Sequence, residues 1–262
     1  MLAEVARLDL RARRRALLGY CGGMGLYALV IVALYPQFRD STSLDNITKN
    51  APTLSALFGA VGSLTSPAGW LDANIYENFL PLVILMLSVG YGAAAIAGAN
   101  QEGTLGLVVT LPTARFRILG AKVLALIAQG LILSLTVAVV VVAGRGFQLP
   151  VPTSHVAEVS LAVFLLGADF GLVTLAIGAA TGSRGLALGL GSGAAAGSYL
   201  ISSLAPVVAW IRPARFASLF YWAVGNDQLI RGVTWLELLV LALVGVIASI
   251  LAAGCFDRLD LR

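Results

Sequence analysis

The sequence has few of the residues on which soluble enzymes and metal proteins depend. Only 11% of its 262 residues are charged, whereas a typical soluble domain has about 25%. It has two cysteines, Cys21 and Cys255, and one histidine, His155. Two distant cysteines and one histidine indicate neither a disulfide framework nor a metal site. The phosphate-binding pattern GxxxxGK[ST] is absent, so the chain is not expected to bind ATP itself or to need a cofactor.

Long apolar runs dominate the sequence instead. Hydrophobic residues make up 59% of it, and a run of about 20 apolar residues can cross a bilayer as a helix. The runs do not alternate in polarity as the strands of a membrane barrel do. The sequence therefore predicts an all-α membrane protein, with a single transmembrane domain over residues 1–262. Its six predicted spans are roughly Ala16–Tyr35, Phe79–Ala99, Ile118–Ala143, Val156–Thr181, Leu186–Ala205 and Leu236–Phe256.

Positive charges are distributed unevenly about these spans. Eleven of the 17 lysines and arginines fall on the side that holds both termini, and the other six fall on the opposite side. The positive-inside rule therefore predicts cytoplasmic N- and C-termini. A nucleic-acid-binding role is the alternative explanation of the arginines, but juxtamembrane topology explains their placement better, and no nucleic-acid partner is predicted.

Three segments outside the spans have recognisable patterns. Residues 1–15 alternate leucine and valine with arginine at helical spacing, which predicts an amphipathic helix on the inner membrane surface; a disordered basic tail is the alternative. In the first outer loop, Trp70 and Tyr76 are expected at the outer interface. Residues 206–235 are too apolar for an exposed loop and too interrupted by prolines to span. They predict a re-entrant outer segment of two short helical pieces that caps the bundle.

Two features inside the spans are candidates for function. Gly185, Gly189 and Gly193 give the fifth span small residues at every fourth position, which lets helices approach closely. This face either packs or moves, and the pattern fits both. Asp169 is the one acid deep within a span, where a charge is costly. It predicts either a role in handling substrate or ions along the translocation path, or a structural contact with a neighbouring helix.

The connection between spans two and three is more elaborate than a turn requires. Glu102 follows the second span, Gly103 permits a sharp change of direction, and a short apolar helix capped by Thr104 ends before Pro112. A helix of about eight residues is unstable alone in water. It must bury its apolar side either in lipid, as an interfacial turn, or in a partner protein.

These residues resemble a known family. Residues 97–118, AGANQEGTLGLVVTLPTARFRI, followed by Lys122, are similar to the pattern AxEExxGTLxLLLxxPxSRxRIxxxK in the membrane subunits of type 2 ABC exporters. The match continues with RRALLGY opening the first span, LYP ending it, SLFYW before the last span, and FDRLDL near the C-terminus. Each motif is short, but their order around six spans is specific.

The resemblance implies a permease subunit that pairs with a separate ABC ATPase, which would hold ATP and Mg²⁺. It also implies export across a prokaryotic cytoplasmic membrane, together with a second permease copy or paralogue. The translocation path would lie between the two halves, near spans two and five. The chain itself would catalyse no reaction. Membrane lipid is the remaining partner. Residues 101–113 would be the coupling-helix segment that docks on the ATPase, with the interface residues Glu102, Gly103, Thr104, Leu105, Leu107, Val108, Leu111, Pro112, Arg115 and Arg117.

The chain departs from the family pattern at two points. Asn100 and Gln101 leave Glu102 as a lone acid where relatives often have an acidic pair, and Gly106 occupies a position where an acid is common. Both changes predict altered polar contacts with the ATPase. Three other classes are alternatives: a secondary transporter that uses Asp169, an intramembrane enzyme, and a structural or regulatory membrane protein. The single histidine disfavours the enzyme.

Overall fold

The computed structural model describes residues 2–39, 65–103, 115–225 and 227–259. Every regular element in these ranges is helical, in agreement with the predicted all-α class. The long helices are α1 (Leu2–Phe38), α2 (Pro67–Gln101), α3 (Arg115–Ala143), α4 (Thr153–Thr181), α5 (Arg184–Leu204) and α6 (Trp235–Asp257). Within α2, Asp72–Tyr76 and Ala94–Gly98 are short π-helical stretches.

The long helices alternate in direction along the chain. Near the start of α1, Asp9 contacts Lys122, which lies near the start of α3, and Tyr91, which lies in the second half of α2. Leu259, just after α6, lies at the same end, close to Gly182 between α4 and α5. We call this the terminal end of the bundle. The opposite end holds the last turns of α1, α3 and α5 and the first turns of α2, α4 and α6.

The N-terminal residues are continuous with the first predicted span. Leu2–Phe38 form one helix of 37 residues, so the boundary expected near residue 15 is not a break in the helix. No glycine or proline separates the arginine-rich part from the apolar part, and helix propagation is favourable once a helix has formed.

The second helix begins earlier than the sequence predicts, at Pro67 rather than at Phe79. Ser66 caps it by accepting a hydrogen bond from Gly69 N at 3.1 Å, and proline is favoured in the first helical turn. Trp70 and Tyr76, expected in an outer loop at the membrane interface, belong instead to this helical stretch, and both side chains are buried within the protein. Trp70 Nε1 donates to Ile31 O at 2.9 Å, which holds the start of α2 against α1.

In the part of the chain that the structure describes, five helical stretches are long and apolar enough to cross a membrane. They lie in α1, α2, α3, α4 and α6, which correspond to five of the six predicted spans. The remaining predicted span, Leu186–Ala205, coincides with α5, but α5 is not among these candidates. Its glycines and serines lower its mean hydropathy, although it runs antiparallel to α4 like its neighbours.

Helix α4 lies at the centre of the bundle and packs against α2, α3, α5 and α6. Small residues make these contacts close. A Cβ on Gly92 of α2 would overlap the carbonyl oxygen of Gly171 in α4, and a Cβ on Gly191 of α5 would overlap the Thr174 side chain. The glycines therefore allow two neighbouring helices to approach the backbone or side chains of α4 directly.

The predicted outer segment, residues 206–235, forms three short helical pieces rather than two. They are a 3₁₀-helix at Arg212–Ala217 and α-helices at Leu219–Ala223 and Gln228–Arg231. The two α-helical pieces pack against α4, and the first of them also contacts α5 and α6. Val233 N donates to Glu158 Oε2 at 2.9 Å. The described part of the segment therefore packs on the opposite end of the bundle.

Candidate functional site

An apolar groove lies between α2 and α5. Its volume is about 590 Å³, and its walls are almost entirely hydrocarbon. On each helix the lining residues recur at intervals of three and four, so each wall is one face of a helix. The walls are Leu82, Leu85, Met86, Val89 and Gly90 on α2, and Leu188, Ser192, Ala195, Ala196 and Tyr199 on α5, with Tyr20 of α1 beside them.

A second cavity of about 460 Å³ adjoins the groove at the opposite end of the bundle. Asn78, Tyr199 and Phe220 line both cavities, so the two share a boundary. This second cavity, which we call the charged chamber, has a different chemistry: four ionisable side chains and the hydroxyls of α5 face it. The four are Glu77, Arg212, Arg215 and Asp227.

Ser218 attaches the short helix Leu219–Ala223, which lines the chamber, to α5. Its hydroxyl donates to Ser198 O at 2.7 Å, and the Ser198 hydroxyl in turn accepts from Leu219 N at 3.1 Å. The same Ser218 side chain caps the short helix Leu219–Ala223 by accepting from Tyr221 N. Because Ser218 is fully buried, these bonds fix how Phe220 and Tyr221 meet the two cavities.

Arg215 is held by aromatic rings rather than by an acid. Its guanidinium lies 4.8 Å from the ring centre of Phe216 and 5.1 Å from that of Tyr221. Cations are attracted to aromatic faces at such distances. Its Nε is buried and has no hydrogen-bond partner. Among the described residues, no ion pair joins Arg212 or Arg215 to an acid.

The carboxylates of the chamber come from two different elements. Glu77 belongs to α2, near its start, whereas Asp227 is the N-cap of Gln228–Arg231 and has a positive φ of 52°. Burial raises the pKa of Asp227 above its usual value, and the nearby Arg231 partly opposes this. Arg231 itself forms an ion pair with Glu237 of α6.

At the terminal end, a polar cluster joins α1, α2 and α3. Lys122 Nζ lies 2.8 Å from Asp9 Oδ2, and the Tyr91 hydroxyl donates to the same carboxylate oxygen at 2.8 Å. The Arg13 guanidinium lies 4.8 Å from the Tyr91 ring centre. We call these four side chains the terminal cluster. It fixes α3 against α2 near the predicted coupling segment.

The structure describes only the two edges of that segment. Gly103, which follows the exposed Glu102, has a φ of 69°, a left-handed conformation that glycine adopts readily. Arg115 begins α3, and Arg117 is exposed in its first turn. The other predicted interface residues lie outside the described residues: Thr104, Leu105, Leu107, Val108, Leu111 and Pro112, together with Gly106.

Asp169 lies in α4 but faces α6 rather than the groove. A Cβ on Gly245 of α6 would lie 2.8 Å from Asp169 Oδ1. The side chain is 1% exposed, and its Oδ2 has no hydrogen-bond partner. It lines neither the groove nor the charged chamber. The structure therefore does not bring Asp169 together with the cavity residues.

Sequence reasoning did not single out the residues of the charged chamber. One signal was available: two arginines stand three positions apart in a segment that is otherwise apolar. That Glu77 lines the same cavity as the arginines could not be predicted from the sequence. Glu77 precedes Arg212 by more than a hundred residues, and only folding brings them to one cavity.

A sequence model described as "ABC-2 family transporter protein" matches residues 3–261. The chain belongs to the ABC-2 transporter family. This confirms the resemblance drawn from the connection between spans two and three, and it agrees with the apolar helices in making this ABC-2 chain a multi-pass membrane protein. Membership also implies partnership with an ABC ATPase subunit. No curated protein sequence matches the chain.

Proposed function

We propose that this chain is the transmembrane permease subunit of an ATP-driven exporter, and that its substrate moves along the groove between α2 and α5. The main support for this proposal is that an apolar groove adjoins a charged chamber in a chain of the ABC-2 family. Ligand cavities in proteins measure about 300–1,000 Å³, and both cavities fall in that range.

In this proposal ATP hydrolysis occurs on a separate ABC ATPase, which binds ATP and Mg²⁺, and the chain itself is not an enzyme. Residues 101–113 form the coupling segment. Gly103 supports this because its positive φ of 69°, at the end of the described part of α2, is a conformation that permits a sharp change of direction. The terminal cluster would transmit movement of the segment to α1, α2 and α3, because Asp9 contacts both Tyr91 and Lys122.

The chain would act with a second permease copy or paralogue, in the cytoplasmic membrane of a prokaryote. Helix α5 would cross the membrane as the fifth of six spans, with both termini in the cytoplasm. The excess of lysine and arginine at the terminal end supports this orientation. Single cysteines at Ser154 and Arg258, in a variant lacking Cys21 and Cys255, provide a check. An impermeant maleimide added to intact cells should label only the cysteine at position 154, and the reverse pattern would refute the orientation.

The coupling role is tested with an ABC ATPase that copurifies with the chain and is then co-expressed with it. Leu107→Asp together with Leu111→Asp should abolish both assembly and stimulated ATP hydrolysis in nanodiscs. Leu8→Asp is the matched control, because Leu8 is an exposed leucine at the same end of the bundle. Full assembly of the double variant would contradict the proposal, as would the lack of any ATPase partner.

A further inference from the structure

The two adjoining cavities have complementary polarity. The groove is apolar over nearly all of its surface, and the charged chamber carries two arginines and two carboxylates. Asn78, Tyr199 and Phe220 belong to both. A molecule that filled them together would need an apolar part and a charged part joined end to end.

The charges of the chamber are not neutralised by each other. Arg212 and Arg215 form no ion pair with Glu77 or Asp227, although all four side chains line the same cavity. Opposite charges that line the same cavity often pair when their geometry allows it. Here the aromatic rings of Phe216 and Tyr221 hold the Arg215 guanidinium, and its buried Nε is left without an acceptor.

We propose that the charged chamber and the groove together bind a zwitterionic amphiphile as the transported substrate. An anionic group, phosphate or carboxylate, is bound by Arg212 and Arg215, and a cationic group, an ammonium, is bound by Glu77 and Asp227. The alkyl chain lies in the groove between α2 and α5. This inference rests on the proposed function, because it names the substrate class of the same site.

The charge pattern favours this class over simpler amphiphiles. A purely anionic head would bind the two arginines but leave Glu77 and Asp227 without a donor, and a purely cationic head would leave the arginines without an acceptor. Arginine is suited to phosphate and carboxylate because its planar fork of N–H groups matches their oxygens.

The test uses the full chain in nanodiscs of phosphatidylglycerol, with radiolabelled lysophosphatidylethanolamine as the probe. Lysophosphatidylglycerol, which has the phosphate but no ammonium, is the comparison ligand. The wild-type chain should bind the zwitterionic probe at least about tenfold more tightly than the anionic one, because one charge-assisted contact is worth that much.

Variants separate the two halves of the head-group site. Arg215→Gln should weaken binding of both ligands by about tenfold or more, and Arg212→Gln repeats the test at an exposed position. Glu77→Gln should weaken only the zwitterionic probe. Arg145→Gln is the matched control, since Arg145 is at the same end but donates to Val151 O and lines neither cavity.

Equal affinity for the two ligands would overturn the proposal, and so would unchanged affinity in the Arg215 and Glu77 variants. In the complex with its ATPase, added ATP should lower the amount of bound probe, since a substrate is released during the transport cycle. Retention of the probe would identify a structural lipid and refute the substrate role. These failures are distinct from failure of the proposed function, which would appear earlier as the absence of an ATPase complex.

Discussion

Lys122 Nζ lies 2.8 Å from Asp9 Oδ2, and through this ion pair the first helix is fixed to the third at the terminal end of the bundle. The two side chains are only 17% and 22% exposed, so the pair is shielded from much of the screening that weakens surface ion pairs. The Tyr91 hydroxyl shares the carboxylate, which adds α2 to the same contact.

Removal of the Asp9 charge should therefore loosen three helices at once. We expect Asp9→Asn to lower the free energy of unfolding by about 1.5–3 kcal/mol, the range for hydrogen bonds to charged groups. Thermal unfolding of the purified chain, followed by circular dichroism, measures the change. Arg11→Gln, at an exposed position on the same helix, is the control. If the charge exchange Asp9→Lys with Lys122→Asp were no more stable than Asp9→Asn, the pair would not be the stabilising interaction.

The contact of Gly92 with Gly171 predicts intolerance of the smallest side chain. Because an added Cβ would overlap a backbone carbonyl oxygen that cannot rotate away, Gly92→Ala should separate α2 from α4 and lower the melting temperature. Gly254→Ala is the matched control: open space surrounds Gly254 in α6, and alanine favours a helix by about 1 kcal/mol over glycine. Equal melting temperatures for the two variants would show that α2 and α4 do not pack this closely.

Filling the groove should stop transport without unfolding the chain. Ala196 lines the groove, whereas Ala194 is exposed on α5 but lines neither cavity. We expect Ala196→Phe to abolish transport by the assembled complex in vesicles, while Ala194→Phe retains it. Both variants should keep their ATPase partner. Normal transport by the Ala196 variant would exclude the groove as the path.

Asp169 distinguishes the exporter from a secondary transporter. Its carboxylate faces α6 and lines neither cavity, so we expect Asp169→Asn to transport normally when ATP is supplied. A secondary transporter coupled through this residue would instead lose transport, because its ion would lose the charge that binds it. Transport driven by an ion gradient without ATP, and abolished in the Asp169 variant, would favour the alternative.

The helices were predictable because apolar length is a local property. The predicted third and fourth spans lie within α3 and α4, and Gly103 has a positive φ, which glycine adopts readily. The start of α2 was not predictable in the same way. Trp70 and Tyr76 have the composition of an interface, and only the packing of Trp70 against α1 makes them part of a buried helix.

The candidate site was less predictable than the fold. The composition of residues 206–235 indicated a cap over the bundle, and the cap was found to pack against α4. Its use of Arg212 and Arg215 to line a cavity with Glu77 depends on the path of the backbone between short helices. The sequence identifies Asp169 as a lone acid within a span. Its orientation towards Gly245, however, depends on how α4 is rotated relative to α6.

The sequence by itself determined that this is a helical membrane protein of the ABC-2 type, because hydropathy and short motifs are carried by neighbouring residues. Only the tertiary structure decided which faces of α2 and α5 form the groove and which charges meet in the chamber. Helices in a membrane bundle share much the same apolar composition on all sides, so their rotation is set by close contacts such as that of Gly92 with Gly171. Those contacts join residues far apart in the chain, and no local pattern encodes them.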